Sequence, residues 1–250
     1  MRSLWHQAAW WVPLLLAIGA HAKEPTAKEL LDRTDDLLRG SSSVATVTMH
    51  VKTARWERTL SMKAWSKGKD YSLIRILSPA KERGIATLKV QTAVWNYLPK
   101  VDRTIKVPAS MMATSWMGSH FTNDDLVRES RMADDYTYEI VSRPQGPSGG
   151  LYVIELVPKA EAAVVWGKVI VSIRASDELP TDVRYFDEKG VLVRTMTYED
   201  VRDFGRRKLP SLLRVVPADK PDEVTEVRYD ALDLDVDLPT SAFSLQALRQ

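Results

Sequence analysis

Side chains that could perform catalysis are few in this 250-residue chain, and their spacing matches no common catalytic site. Ser119 directly precedes His120, but the surrounding MGSHF is not the G-x-S-x-G turn that exposes a serine nucleophile. His50, the other histidine of the predicted mature chain, has no acidic partner at a metal-ligand spacing. The sequence therefore predicts no catalytic residue and no metal site.

Three pairs of adjacent aspartates are the remaining candidates for acid–base chemistry: Asp35-Asp36, Asp124-Asp125 and Asp134-Asp135. The last two pairs are typical of helix starts and turns, because carboxylates favour helix N-termini. Glycosidic hydrolysis needs two carboxylates that face each other across a cleft, which a linear pattern does not specify. A hydrolase is therefore the third-ranked interpretation, behind the two developed below.

Composition excludes several other classes of protein. The chain has no cysteine, which excludes disulfides, thiolate metal sites and cysteine nucleophiles. Its net charge of +2 is far from that of a nucleic-acid-binding polycation, so no nucleic-acid partner is predicted. The loop RPQGPSGG lacks the lysine and the following helix of a phosphate-binding loop, and no cofactor is predicted.

The N-terminal residues have the pattern of a secretory signal peptide. A basic start at Met1-Arg2 is followed by an apolar run over residues 8–20 and a small-x-small cleavage site at residues 20–22. The alternative, a membrane anchor, is disfavoured because the run is shorter than about 18 residues. We expect residues 1–22 to be removed and residues 23–250 to form a single soluble domain outside the cytoplasm.

One amphipathic helix is predicted over residues 26–39, where the mature chain begins. Thr26 and Glu29 have the spacing of a capping box, and Gly40 follows the last apolar residue of the helical pattern. Its apolar stripe requires a partner surface.

Most of the remaining chain alternates apolar and polar residues, as half-buried strands do. Two early strands show this most clearly, with the following residues on one predicted face: Ala45, Val47, Met49, Val51, Trp56, Leu60, Met62 and Ala64. About 11 to 13 such stretches occur, at the spacing of a β-sandwich or an antiparallel barrel. The chain is therefore predicted to be mainly β.

Residues 109–130 interrupt the alternation with a cluster of large apolar side chains: Met111, Met112, Trp116, Met117 and Phe121. A short helix from Ser110 to Gly118 is predicted, which would place Met112 and Trp116 on one face. A second helix is predicted after Thr122, with Asp125 at its third position. The segment is interpreted either as ordinary core under a crossover or as a mobile flap over an apolar cavity, hinged at the glycine.

The sequences WNYLPKVDRTIKV and SWMGSHFTNDDL resemble the outer-membrane lipoprotein-sorting family, the LolA-like periplasmic lipoprotein carriers. The resemblance implies an incomplete antiparallel β-barrel with an N-terminal helix and a helical lid over an apolar cavity. It implies neither catalysis nor a cofactor. It gives family positions to residues 95, 97–99 and 115–126, and it suggests a cargo-handling role for an early-strand arginine, Arg55 or Arg58.

The resulting hypothesis is a soluble periplasmic carrier that shields the acyl chains of lipoproteins or other lipids during outer-membrane sorting. Expected partners are those acyl chains, an inner-membrane transporter and an outer-membrane acceptor. The predicted ligand-binding residues are Met49, Leu60, Met62, Trp95, Tyr97, Met112, Trp116, Met117 and Phe121. The alternative is a periplasmic lipid or lipoprotein sensor, or an adaptor for an RND-type exporter.

Overall fold

The computed structural model describes residues 24–128, 132–145, 149–162 and 164–250. The predicted signal peptide, residues 1–22, lies outside the described residues. Within the described ranges, no helix combines the length and the apolar character needed to cross a membrane.

Antiparallel strands dominate the described chain. The strands are β1 Ser42–Lys52, β2 Glu57–Lys67, β3 Tyr71–Ser78, β4 Ala86–Val90, β5 Ala93–Leu98, β6 Arg103–Lys106, β7 Tyr136–Ser142, β8 Leu151–Pro158, β9 Lys168–Arg174, β10 Pro180–Phe186, β11 Leu192–Asp203, β12 Lys208–Pro217 and β13 Val224–Leu234. In the described residues these thirteen strands form one sheet, in the order β6-β5-β4-β3-β2-β1-β13-β12-β11-β10-β9-β8-β7. Because β6 and β7 end the order without pairing to each other, the barrel is incomplete, and the predicted fold class is confirmed.

The helical elements are short, apart from the first. The α-helices are α1 Ala27–Arg39, α2 Asp125–Arg128, α3 Met132–Asp135 and α4 Leu245–Leu248, and 3₁₀ turns cover Pro99–Val101, Ala109–Met111 and Thr240–Ala242. The predicted capping box of α1 is present, because Thr26 and Glu29 each accept a hydrogen bond from the other's backbone N–H.

Helix α1 covers the concave face of the sheet. Its Leu30 is fully buried and Leu31 is 7% exposed, both in a cluster with Ile154, Val171 and Val183 from the second half of the sheet. Each leucine contributes about 1.5–3 kcal/mol of burial free energy, which fixes the helix on this face.

Strand register assigns side chains to the two faces of the sheet. Ala45 pairs with Leu232 and Ala64, Ala64 pairs with Ile74, and Ile74 pairs with Thr87, so this row lies on the concave face. The alternate row lies on the convex face and runs through Trp65, Leu73, Leu88 and Trp95. The C-terminal Phe243 and Leu248 cover this convex row.

Candidate functional site

Residues 110–118 do not form the predicted helix, and residues 115–122 form a compact hairpin instead. After the 3₁₀ turn at Ala109–Met111, Ser115 and Thr122 form an antiparallel bridge, and Trp116 N–H donates to Phe121 O at 2.7 Å. We call residues 115–122 the hairpin. The prediction that Met112 and Trp116 share one helical face was therefore wrong. The second predicted helix is present as α2, which begins at Asp125, and Thr122 and Asp125 each accept a hydrogen bond from the other's backbone N–H.

The two aromatic residues of the hairpin are buried in different clusters. Trp116, 5% exposed, packs against Met49, Leu60 and Met62, and its indole N–H donates to Thr87 Oγ1 at 3.1 Å. Phe121 packs into the cluster beneath α1. The hairpin therefore fills one part of the concave face as core does.

Gly118 lies in a tight turn at the tip of the hairpin. Ser119 N–H donates to Trp116 O at 2.9 Å, and the two central residues, Met117 and Gly118, have φ of 53° and 69°. Glycine adopts this region without strain, which explains its position here, and the hinge role stays a prediction. Arg58 donates to Met117 O and pairs with Glu82 at 2.6 Å, so the tip is held by β2.

His120 joins the hairpin to the start of β13. Its Nδ1 lies 2.8 Å from Thr225 Oγ1, and its Nε2 lies 3.2 Å from a carboxylate oxygen of Glu223. The backbone N–H of Ala54 and the imidazole of His120 both donate to Glu223, which lowers the pKa of that carboxyl. The Ser119 hydroxyl donates to Trp116 O at 2.7 Å, so both residues of the Ser-His pair stabilise the hairpin.

A buried ion pair holds the end of the hairpin segment against β11. Arg194 and Asp125 are 5% and 8% exposed and form a bidentate pair with distances of 2.6 and 2.7 Å. The same guanidinium donates to His120 O at 2.7 Å and stacks within 4.5 Å of the Trp166 and Tyr185 ring centres. Because removal of either partner leaves an uncompensated buried charge, this pair fixes the position of α2.

Next to the filled region, the concave face encloses a cavity of about 260 Å³. It is bounded by α1, α2 and strands β1–β3 and β11–β13, and its lining is mainly apolar: Leu38, Ala45, Ala64, Ile74, Leu126, Leu209, Leu213, Tyr229 and Leu232. Its volume lies just below the roughly 300–1,000 Å³ of typical ligand pockets. A smaller groove of about 80 Å³ under α1 shares Leu38, Arg39 and Tyr198 with it.

Small side chains on the concave face explain why the cavity is open. The cavity wall in β1 to β3 includes Ser43, Ala45, Ala64, Ser66 and Ser72. One row further along the same strands, Val47 pairs with Met62 and Met62 pairs with Ile76, and these larger side chains pack under Trp116. Sequence reasoning predicted an apolar cavity but not these lining residues, although this change in side-chain size along β1 and β2 was a usable signal.

The C-terminal end of α1 is tied to the sheet beside the cavity. Arg207, in the turn between β11 and β12, donates to the carbonyls of Asp36 and Leu37 at 2.7 and 3.0 Å and to Asp235 at 2.9 Å. Asp235 also accepts from Ser41 N–H at 2.8 Å. The basic GRRKLP turn therefore supports the helix end.

The nine predicted ligand-binding residues do not form one group. Met49, Leu60, Met62, Trp116 and Met117 share the filled cluster, and Phe121 joins the cluster under α1. Trp95 and Tyr97 pack on the convex side with the C-terminal segment, and Met112 lies at the end of the 3₁₀ turn. None of the nine is among the residues that line the 260 Å³ cavity.

Comparison with known proteins identifies a matching family model and several structures of similar fold. The model of a protein family described only as an uncharacterized protein matches residues 68–250. No curated protein sequence matches the chain. Three similar solved structures are a DUF1329 family protein from Desulfovibrio piger, a domain from Vibrio parahaemolyticus described as an outer membrane lipoprotein-sorting domain, and a LolA superfamily protein from Nitrosomonas europaea.

The agreement with these structures extends over almost the whole of each. The D. piger protein has a TM-score of 0.80 at 23% identity, covering 88% of this chain and 97% of its own. The V. parahaemolyticus domain has a TM-score of 0.77 at 20% identity, and the match covers 88% of this chain and 97% of that domain. The N. europaea protein has a TM-score of 0.75 at 24% identity, and the match covers 90% of this chain and 100% of that protein. The chain therefore belongs to the family of the matching model and has the fold of the LolA superfamily.

Proposed function

We propose that this protein is a non-catalytic periplasmic carrier that shields the acyl chains of lipoproteins or other lipids. The observation that carries the proposal is the cavity of about 260 Å³ between α1, α2 and the concave face of the sheet. Apolar surface in such a cavity gains free energy when it replaces water around an acyl chain, and the contact is non-directional, so a bound chain can be exchanged.

Two further features support a carrier. The fold is that of LolA superfamily proteins, and one similar structure is described as a lipoprotein-sorting domain. Residues 1–22 predict export, and the proposed carrier domain is the remainder, residues 23–250. An inner-membrane transporter as donor and an outer-membrane acceptor are the partners that such a shuttle requires.

Mass spectrometry of lipids that co-purify with the mature protein tests the proposal. We expect bound lipid in the wild-type protein and its loss in Ala64→Phe, which places a ring inside the cavity. Ala231→Phe is the matched control, because Ala231 is exposed and pairs with Thr46 on the opposite face of the sheet. Equal lipid in all three proteins, or none in the wild type, would contradict the carrier function.

A further inference from the structure

The volume of the cavity limits the kind of lipid that it accepts. An apolar cavity of about 150 Å³ holds one benzene ring, so about 260 Å³ holds roughly ten carbon atoms. That is one aliphatic chain of moderate length. Two or three chains side by side would need a cavity several times larger.

The walls of the cavity are held in place, so its volume is a property of the fold. Asp125 lies in the wall and forms the buried pair with Arg194. On the other side, Arg207 and Asp235 hold the end of α1, where Leu38 borders the cavity. Widening the cavity by moving α2 would separate a buried ion pair, which is strongly unfavourable.

Charged side chains of both signs line the groove and the notch next to the cavity: Asp32, Asp35, Asp36, Arg39, Lys69 and Arg207. Arg39 lines the cavity, the groove under α1 and an open notch between the end of α1 and the β2–β3 turn, so all three spaces border this one side chain. Lys69 lines the groove and the notch, and among the described residues it forms no ion pair. The buried Lys89 ammonium donates to Lys69 O at 2.7 Å. Asp35, on the same rim, is paired with Arg39 at 3.1 Å.

From the volume and the rim charge, we infer that the cargo is a single-chain anionic amphiphile, with its aliphatic chain in the cavity and its carboxylate or phosphate beside Lys69. This inference rests on the proposed carrier function and specifies its substrate class. A single chain fits the space available, and an ammonium on the rim stabilises an anion whose tail lies in the cavity.

A chain-length series measured by titration calorimetry tests the volume argument. The probes are hexanoate, octanoate, decanoate, dodecanoate and hexadecanoate, each as a monomer in solution. Burial of a methylene is worth roughly a fourfold gain in affinity, so we expect that gain per carbon up to about ten carbons and a plateau beyond. A gain that continues undiminished to hexadecanoate would overturn the single-chain inference.

A headgroup comparison tests the role of the rim. Decanoate and decyl phosphate distinguish the two anion sources, and decyl maltoside supplies a similar chain without charge. We expect Lys69→Glu to weaken binding of at least one anion about tenfold and to leave the maltoside unchanged. Lys81→Glu, an exposed lysine beyond the other end of β3, is the matched control and should change none. Equal effects of both variants would overturn the assignment of Lys69.

Failure of the inference and failure of the carrier function give different results. Dioctanoyl phosphatidylglycerol that binds as tightly as decanoate, with loss in Ala64→Phe, would overturn the single-chain class and preserve the carrier. An absence of binding by every probe to delipidated protein would overturn both.

Discussion

On strands β1 to β3, the concave face has two halves that differ in content although the same part of the sheet builds both. We define the filled half by Val47, Met49, Val51, Leu60 and Met62, and the open half by Ser43, Ala45, Ala64, Ser66 and Ser72. Both halves follow the same apolar–polar alternation of half-buried strands. What separates them is side-chain size, together with Trp116 of the hairpin, which enters only the filled half. Alternation therefore determines which face is inside, and side-chain volume determines whether the inside is core or cavity.

The position of α2, which borders the open half, depends most on the buried ion pair. Arg194→Met should lower the free energy of unfolding by about 4 kcal/mol, because Asp125 would stay buried without its partner. Urea denaturation measures this loss. Arg202→Met is the control, since Arg202 and Asp200 form a more exposed pair on the same strand, with 48% and 41% of their side chains exposed, and the change should cost less than about 1 kcal/mol. Similar costs for the two variants would show that the pair does not fix α2.

The filled half should behave as core when its largest side chain is truncated. Trp116→Ala should lower the free energy of unfolding by about 3 kcal/mol, from lost burial and an unfilled cavity. Trp56→Ala, at an indole that is 41% exposed, should cost less than about 1 kcal/mol in the same urea experiment. A negligible cost at Trp116 would mean that the hairpin is a mobile flap after all.

The two halves should respond differently to added volume. Val47→Phe overfills the filled half and should cost about 2 kcal/mol. Ala64→Phe occupies existing space in the open half and should change the free energy of unfolding by less than about 1 kcal/mol. Thermal and urea denaturation of both variants measure the difference. A larger loss for Ala64→Phe would contradict the presence of a pre-formed cavity.

The smallest expected effect concerns pH at the base of the hairpin. Hydrogen bonds from Ala54 and His120 lower the pKa of Glu223 in the folded protein. Its contribution to stability is therefore fully present above the unfolded pKa of about 4.5 and is lost as pH falls through the lower folded value. Glu223→Gln should have a flatter profile of melting temperature from pH 5 to pH 3. If Glu223→Gln has the same pH dependence of melting temperature as the wild type, the Glu223 carboxylate does not contribute to stability in this range.

The sequence predicted the strands and their faces well, because alternation is a local signal. Met49, Leu60 and Met62 lie on one face of the strands, as predicted, and are buried there, and the capping box of Thr26 and Glu29 is present. The unclosed barrel itself came from the resemblance to the LolA-like family, and the strand order confirms it.

The hairpin was not predictable from local signals. Pro108, Ser110 and Gly118 are plausible helix boundaries, yet the actual conformation depends on contacts with distant residues. Trp116 bonds to Thr87, and Arg58 bonds to Met117 O. The spacing of residues within 109–130 carries no information on these contacts with residues distant in the sequence.

The residues that line the cavity were not predicted, for a different reason. Large apolar residues were taken as the ligand-binding surface, whereas a cavity forms where large residues are lacking. The decrease in size from Met49 to Ala45 to Ser43 along β1, mirrored from Leu60 to Ala64 along β2, carries that information.

Decanoate affinity of Val47→Phe and Ala64→Phe, measured side by side by calorimetry, tests the central claim most directly. The two variants add the same ring on neighbouring strands, one row apart on the concave face. We predict that Ala64→Phe weakens binding at least tenfold, whereas Val47→Phe stays within about twofold of the wild type. Retained binding in Ala64→Phe with loss in Val47→Phe would place the lipid under the hairpin, among Met49, Leu60 and Met62, and would contradict this account.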